Sequence, residues 1–270
     1  MKAALCISGE LRSYDKTYAE LKNNIIDPLG ADVFVYSWDA VKGTRKARCQ
    51  VNKYNRFLVD DFRAHDESKE ELLENVKKTY NPRKIELEPF LEEYKNKIQG
   101  AQRPKEFIED PDRERWTRYD LAMFYTLYRC NELKREAERE MGTKYDIVIK
   151  TRTDIRFPDF KPIVRTLEKK MLDNILWYWP KDHNEGHVVS DKFAFSNSGV
   201  MDYYSSAFNF LNEYWEEGLI VKETNQPKMN EGMMWYHIHN KSDIRVHSFG
   251  SAYYDASRAA RIKETYPGKE

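Results

Sequence analysis

The densest run of reactive side chains is Lys150-Thr151-Arg152-Thr153-Asp154, which follows Ile147-Val148-Ile149 and is closed by Phe157-Pro158. A buried strand that runs straight into charged and hydroxyl residues delivers them to its carboxyl end, and in open α/β sheets ligands bind beyond those ends. Asp154 could hold a divalent cation there, because Mg²⁺ and similar ions use one or two carboxylates and take their other ligands from water and substrate phosphates. Arg152 could neutralise a diphosphate, and Lys150 belongs to the same donor-side set. A salt-bridged strand end explains the pattern equally well. A second run, Ile7-Ser8-Gly9-Glu10-Leu11-Arg12, ends a strand in a small residue and a glycine. Backbone can approach a ligand closely at such a place, the following helix offers its N–H groups to an anion, and Arg12 could reach a phosphate. One glycine makes neither a dinucleotide fingerprint nor a Walker loop, and a plain tight turn is the simpler explanation.

Two more carboxylates and a histidine complete the candidates. Asp191 stands just before the apolar stretch Lys192–Ser196, where it either faces the same crevice or serves a turn. Glu231 follows Asn230 in the first turn of a short helix, where the dipole stabilises its charge. Facing a cleft, it could act as a general base on a hydroxyl; an ordinary helix-start glutamate is commoner. His247 ends the last strand and could ligate a metal, although a lone histidine is more often structural. His237 and His239 are two apart and share no helix face, so an HExxH-type site is absent. No GxSxG elbow and no serine, cysteine and histidine arrangement suggests a covalent nucleophile.

These groups need elements to hold them. A strand at Lys2–Ile7, a helix at Tyr14–Ile26 stopped by Asp27-Pro28-Leu29-Gly30, and a strand at Ala31–Ser37 make a βαβ unit, which predicts a parallel pair and a mostly parallel sheet. Residues 41–115 are dense in charge and read as a helical, solvated insertion around one short strand, Lys84–Leu87. Leu121, Phe124, Tyr125, Tyr128 and Leu133 recur at helical spacing within Thr117–Met141, with Gly142 at the cap. The first half of that helix packs on the sheet and its KREAERE end extends into water. Strands follow at Ile147–Lys150, Ile175–Trp179, Lys192–Ser196 and Asp243–His247, with helices near 200–214 and at Glu231–His239.

The 270 residues, 40% hydrophobic and 33% charged, fit one elaborated α/β domain over residues 1–255 with a polar tail at 256–270. Lys+Arg and Asp+Glu are both 45, which argues against a phosphate-tracking nucleic-acid binder but leaves room for a small anionic ligand held by a few local charges. Cys6, Cys49 and Cys130 form no CxxC pair and point to a reducing, intracellular setting. The apolar stretch after Met1 is too short for a signal peptide. Nothing approaches the roughly 20 apolar residues of a membrane span. A soluble protein of the cytoplasm, or of the host cytoplasm were the chain viral, is expected.

Taken in order, ALCISGELRSY, ADVFVYSWD, KYDIVIKTRTDIRF, VVSDKFAFSNSGVMDYY and NEGMMWYHI resemble a group of glycosyltransferase-like proteins found in bacterial surface-polysaccharide clusters and in large DNA viruses. The resemblance spans about residues 2–247, with 41–115 poorly matched. It implies a GT-A-type, Rossmann-like fold that binds a nucleotide-sugar donor and a glycan acceptor, commonly with Mn²⁺ or Mg²⁺. In such folds a DxD motif after a central strand holds metal and diphosphate; here Arg152-Thr153-Asp154 occupies that place, with arginine for the first acid. The resemblance places Ser8, Gly9 and Arg12 near the nucleotide and Asp191 near the donor sugar or acceptor. Glu231 lies where inverting enzymes of this fold carry their base. Metal ligation would fall to Asp154 and His247. The arginine also suits another outcome, a non-catalytic carbohydrate- or nucleotide-binding protein that kept the fold.

Overall fold

The computed structural model describes residues 1–11, 14–39, 67–89, 111–153, 155, 172–178, 189–216 and 230–248. Strands β1 (Ala3–Ser8) and β2 (Asp32–Trp38) are apolar and buried along nearly their whole length, as befits parallel strands covered on both faces. Between them α1 (Tyr14–Leu21) buries Tyr14, Thr17 and Leu21. It continues through a π-helical stretch, Lys22–Ile26, and a last turn, Asp27–Leu29. The helix therefore runs past Asp27-Pro28, since proline is tolerated in the first turn of a helical segment. Gly30, left-handed at φ 57°, ends it.

Helix α2 (Lys69–Tyr80) opens on a capping box between Ser68 and Glu71 and buries Leu72, Val76 and Tyr80. Strand β3 (Lys84–Glu88) then pairs parallel with β2. Both elements fall within residues 41–115, read above as a charged insertion, yet they supply a covering helix and the edge strand of the sheet itself. The stretches 40–66 and 90–110, and the tail 256–270, lie outside the described residues.

The long helix α3 (Pro111–Met141) leads to β4 (Ile147–Thr151). Then come β5 (Ile175–Tyr178), β6 (Ala194–Ser196), and α4 (Ser198–Ser205), which passes through a 3₁₀ stretch, Ser206–Phe210, into α5 (Leu211–Glu216). Helix α6 (Asn230–Lys241) and β7 (Arg245–Ser248) complete the order. The sheet runs β3-β2-β1-β4-β6-β5-β7. Strand β6 is antiparallel to β4 and β5; every other pairing is parallel. This is the expected α/β class, a mostly parallel sheet flanked by helices.

Each face of the sheet carries a core. On one, Ala4, Cys6, Phe34, Tyr36 and Val148 meet Phe124, Leu127 and Met234 from the helices. On the other, Leu5, Ile7, Val33 and Ile149 meet Leu21, Ile25, Leu72 and Val76. The odd–even split along β1 and β2 follows from the period of two in a strand.

One expectation is corrected here. The KREAERE end of α3 is water-facing on one side only: Arg135, Arg139 and Glu140 are exposed, but Lys134 and Ala137 are fully buried and Glu138 nearly so. Lys134 Nζ donates to Ser198 Oγ at 2.6 Å and to Asp202 Oδ1 at 2.7 Å, and lies 3.2 Å from Glu138 Oε2. Ser198 Oγ and the Tyr145 backbone N–H both donate to Glu138 Oε1. A buried charge is tolerable only when it is paired and hydrogen-bonded, and α4 provides the partners. Among the described residues, no helix is long and apolar enough to cross a membrane.

Candidate functional site

From β1 the chain moves outward through β2 to β3, and then returns to place β4 on the other flank of β1. That reversal makes the carboxyl ends of β1 and β4 a topological switch point, where open α/β sheets form their ligand crevice. Ile7 is in register with Thr151, so Ser8-Gly9 and Arg152-Thr153 leave the sheet side by side. Gly9 turns away at φ 105°, and its N–H donates to the Tyr36 carbonyl at 3.3 Å. L side chains rarely adopt that backbone conformation, so the turn depends on glycine.

Two threonines fasten the loops on either side. Thr17 Oγ1 of α1 donates to the Thr153 carbonyl at 2.8 Å, and Thr153 Oγ1 donates to the Glu10 carbonyl at 3.2 Å. Both side chains are buried. Thr153 is marked only by its place inside the run Lys150–Asp154, and Thr17, in the helix, carries no signal in the sequence.

Strand β6 enters this edge with the opposite polarity. Lys150 pairs with Ala194, so the segment before β6 lies beside the carboxyl end of β4. Asp191 sits there, buried, with Oδ2 at 3.4 Å from Arg152 NH1. The Asp191 turn is held by Tyr204, whose hydroxyl donates to the Ser190 carbonyl at 2.9 Å, and by the Lys192 N–H donating to Ser190 Oγ at 3.1 Å. Arg152 is about a quarter exposed, so one side of this ion pair is open to solvent and the other is not.

The other candidates fall as follows. Ser8 is buried at the end of β1. Lys150 is closed off within the sheet, in register with Cys6, and its charge acts on the Cys130 thiol, which burial pushes up. His247 is exposed on β7, in register with Trp177, with ring centroids 5.2 Å apart. Three strand spacings, about 14 Å, separate β7 from β4. Glu231 lies in the first turn of α6, its side chain outside the described part. Arg12 and Asp154 lie outside the described residues. Thus Ser8, Gly9, Arg152 and Asp191 are brought together, and His247 stands apart along the same sheet edge.

Among the described residues, no group of three or more His, Cys, Asp or Glu side chains could hold a metal ion. Asp191 already faces an arginine and His247 an indole, so the described donors do not by themselves fit Mn²⁺ or Mg²⁺.

Fold and crevice together define an α/β protein with a polar site at a topological switch point. No family model matches the chain, and no curated protein matches it. Among solved structures, the apo form of mouse xyloside xylosyltransferase 1 is similar at a TM-score of 0.39 and 8% sequence identity, over 100% of this chain and 94% of that one.

Proposed function

We propose that the protein is a glycosyltransferase that moves a sugar from a nucleotide-sugar donor to a hydroxyl of a glycan or other acceptor. One observation carries the reading: the Arg152–Asp191 pair stands at the switch point beside the Gly9 turn, within segments whose order resembles that of glycosyltransferase-like proteins. The donor diphosphate is assigned to the space between Gly9 and Arg152, with Ser8 and Arg12 on the β1 side and Lys150 lending charge from within the sheet. Arg152 and Arg12 stabilise the charge that develops on the departing nucleoside diphosphate. Glu231, or failing it Asp191, takes the proton of the acceptor hydroxyl, whose oxygen attacks the anomeric carbon as the bond to the diphosphate breaks. Asp154 is assigned to the diphosphate end, where a divalent cation would share it. His247, about 14 Å along the sheet edge on β7, takes no part in the step.

The test is release of nucleoside diphosphate from a panel of nucleotide sugars, with and without Mn²⁺ and with a mixed-glycan acceptor. Turnover that falls about a hundredfold or more in Asp154→Ala supports the assignment; unchanged turnover would falsify it. Loss in Glu231→Gln with activity kept in Asp191→Asn identifies Glu231 as the base, and the opposite pattern identifies Asp191. A second reading, a non-catalytic binding protein, is favoured by one feature: arginine stands in the first acidic position and is engaged with Asp191 at 3.4 Å. Nucleotide-sugar binding without release on long incubation would select it.

A further inference from the structure

Strand β6 leads away from the crevice, and α4 brings the chain back toward it. β6 runs against β4, so it leaves the switch point beyond Asp191 and ends at Ser196, near the amino end of β4. The helix starts there on a fixed footing. Asn197 caps it by accepting from the Val200 N–H at 2.9 Å, and Ser198 is tied to Lys134. At a rise of about 1.5 Å per residue, Tyr204 stands about 9 Å up the helix from Ser198. Its hydroxyl there donates to the Ser190 carbonyl at 2.9 Å.

Tyr204 is fully buried. Phenylalanine would fill the same core space; the hydroxyl adds a bond that reaches out of α4 into the segment before β6. Ser190 is thereby held at both of its oxygens, the carbonyl by Tyr204 and Oγ by the Lys192 N–H. Asp191 stands between Ser190 and Lys192, in the turn these two bonds fix. A short aspartate side chain, once buried, takes its place from its backbone. An arginine differs, because its guanidinium ends a long, flexible stem and takes its place from what it pairs with. The contact from Asp191 Oδ2 to Arg152 Nη1 is 3.4 Å, longer than the about 2.7–2.9 Å of a close ionic hydrogen bond. A small shift of the turn would open it.

We propose that Tyr204 is a positioning residue of the site: acting through Ser190, its hydroxyl fixes where the Asp191 carboxylate stands, and the carboxylate sets the Arg152 guanidinium where the donor's diphosphate is received. This rests on the nucleotide-sugar reading above and adds a residue outside the crevice that determines how tightly the diphosphate is held.

The experiment is calorimetric titration of the whole protein with UDP, GDP, ADP and CDP. Arg152→Ala is expected to weaken the tightest of them about tenfold to a hundredfold, as loss of a hydrogen bond to a charged group implies. Tyr204→Phe should weaken it about threefold to tenfold. Ser190→Ala, which releases the same turn at its other bond, should act in the same direction and replaces Tyr204→Phe if that variant does not fold. Added to Arg152→Ala, Tyr204→Phe should cost less than about twofold more, since residues acting through one guanidinium do not add. Arg152→Gln closes the cycle if the alanine variant binds too weakly to titrate. Tyr203→Phe is the control. It removes a hydroxyl bond of the same helix, to the Lys241 carbonyl at 2.8 Å, so it should lower the melting temperature and leave affinity unchanged. The inference is overturned if Tyr204→Phe binds like wild type, if its loss adds in full to that of the arginine variant, or if Tyr203→Phe weakens binding as much; each of these leaves the glycosyltransferase reading standing. If no nucleoside diphosphate binds wild-type protein, that reading fails and the inference falls with it.

Discussion

Lys134 donates to Ser198 across 2.6 Å, joining the long helix α3 to the first residue of α4 with both side chains out of water. Removing the ammonium strands the nearby carboxylates of Glu138 and Asp202. Breaking a buried pair in this way costs about 3–5 kcal/mol, because the remaining charge is uncompensated. Lys134→Met should therefore lower the urea midpoint sharply. Arg135→Ala, which removes an exposed partner of Glu132, should change stability by less than about 1 kcal/mol. Equal losses in the two variants would refute the account.

His237 is fully buried, donates from Nε2 to the Tyr203 carbonyl at 2.7 Å, accepts at Nδ1 from the Tyr214 hydroxyl, and stacks on the Tyr203 ring with centroids 4.3 Å apart. Burial holds its pKa down at about 4. The unfolded chain takes up a proton near pH 6.5 while the folded chain refuses it until about pH 4. The neutral ring's contribution is thus complete above about pH 6.5 and is lost as pH falls toward 4, by about 3 kcal/mol in all. Denaturation midpoints at pH 7 and pH 5 should differ in that direction, and the difference should shrink in His237→Gln. A midpoint that rose on acidification would contradict the assignment.

Gly9 turns the chain at φ 105°, and a Cβ there would meet open space within 4 Å. The cost of Gly9→Ala is therefore conformational rather than steric, about 1–3 kcal/mol. Part of it should appear as relaxation of the turn, with weaker nucleoside diphosphate binding than the stability loss alone explains. Chemical denaturation and calorimetry on the same preparation separate the two effects.

Thr17 and Thr153 set how closely the β1 and β4 loops approach. Thr17→Val keeps the shape and removes the donor to the Thr153 carbonyl, leaving a buried acceptor unsatisfied at about 1–3 kcal/mol. Stability should fall by that order, and Thr17→Ser should restore it. If binding at the crevice depends on the loop spacing, the valine variant also loses nucleotide affinity and the serine variant regains it.

The opening βαβ unit is legible in the sequence because its cues are local: an apolar strand, a glycine turn, a helix closed by Gly30, a second apolar strand. The direction of β6 is not. Lys192–Ser196 is apolar on both faces, and nothing in it records that the strand runs against β4 and β5. The end of α3 misleads for a related reason. Lys134 and Glu138 are spaced i, i+4 like any solvated pair, and the groups that bury them, Ser198 and Asp202, come 64 and 68 residues later. The candidate site divides along the same line. Ser8, Gly9 and Arg152 are found from their position at strand ends. Thr17 passes unremarked, because its bond to the Thr153 carbonyl joins residues 136 apart in the chain.

The reversed strand carries a further implication. β6 meets β4 through Val148 opposite Ser196, Ile149 opposite Phe195 and Lys150 opposite Ala194. A slip of one residue would send Phe195 and Ala194 to the wrong faces and draw Asp191 away from Arg152. Opposed charges at the crevice therefore act as a proofreading mark for threading. A preparation's ligand-binding stoichiometry would count the molecules in correct register, whereas its helical content would count them all.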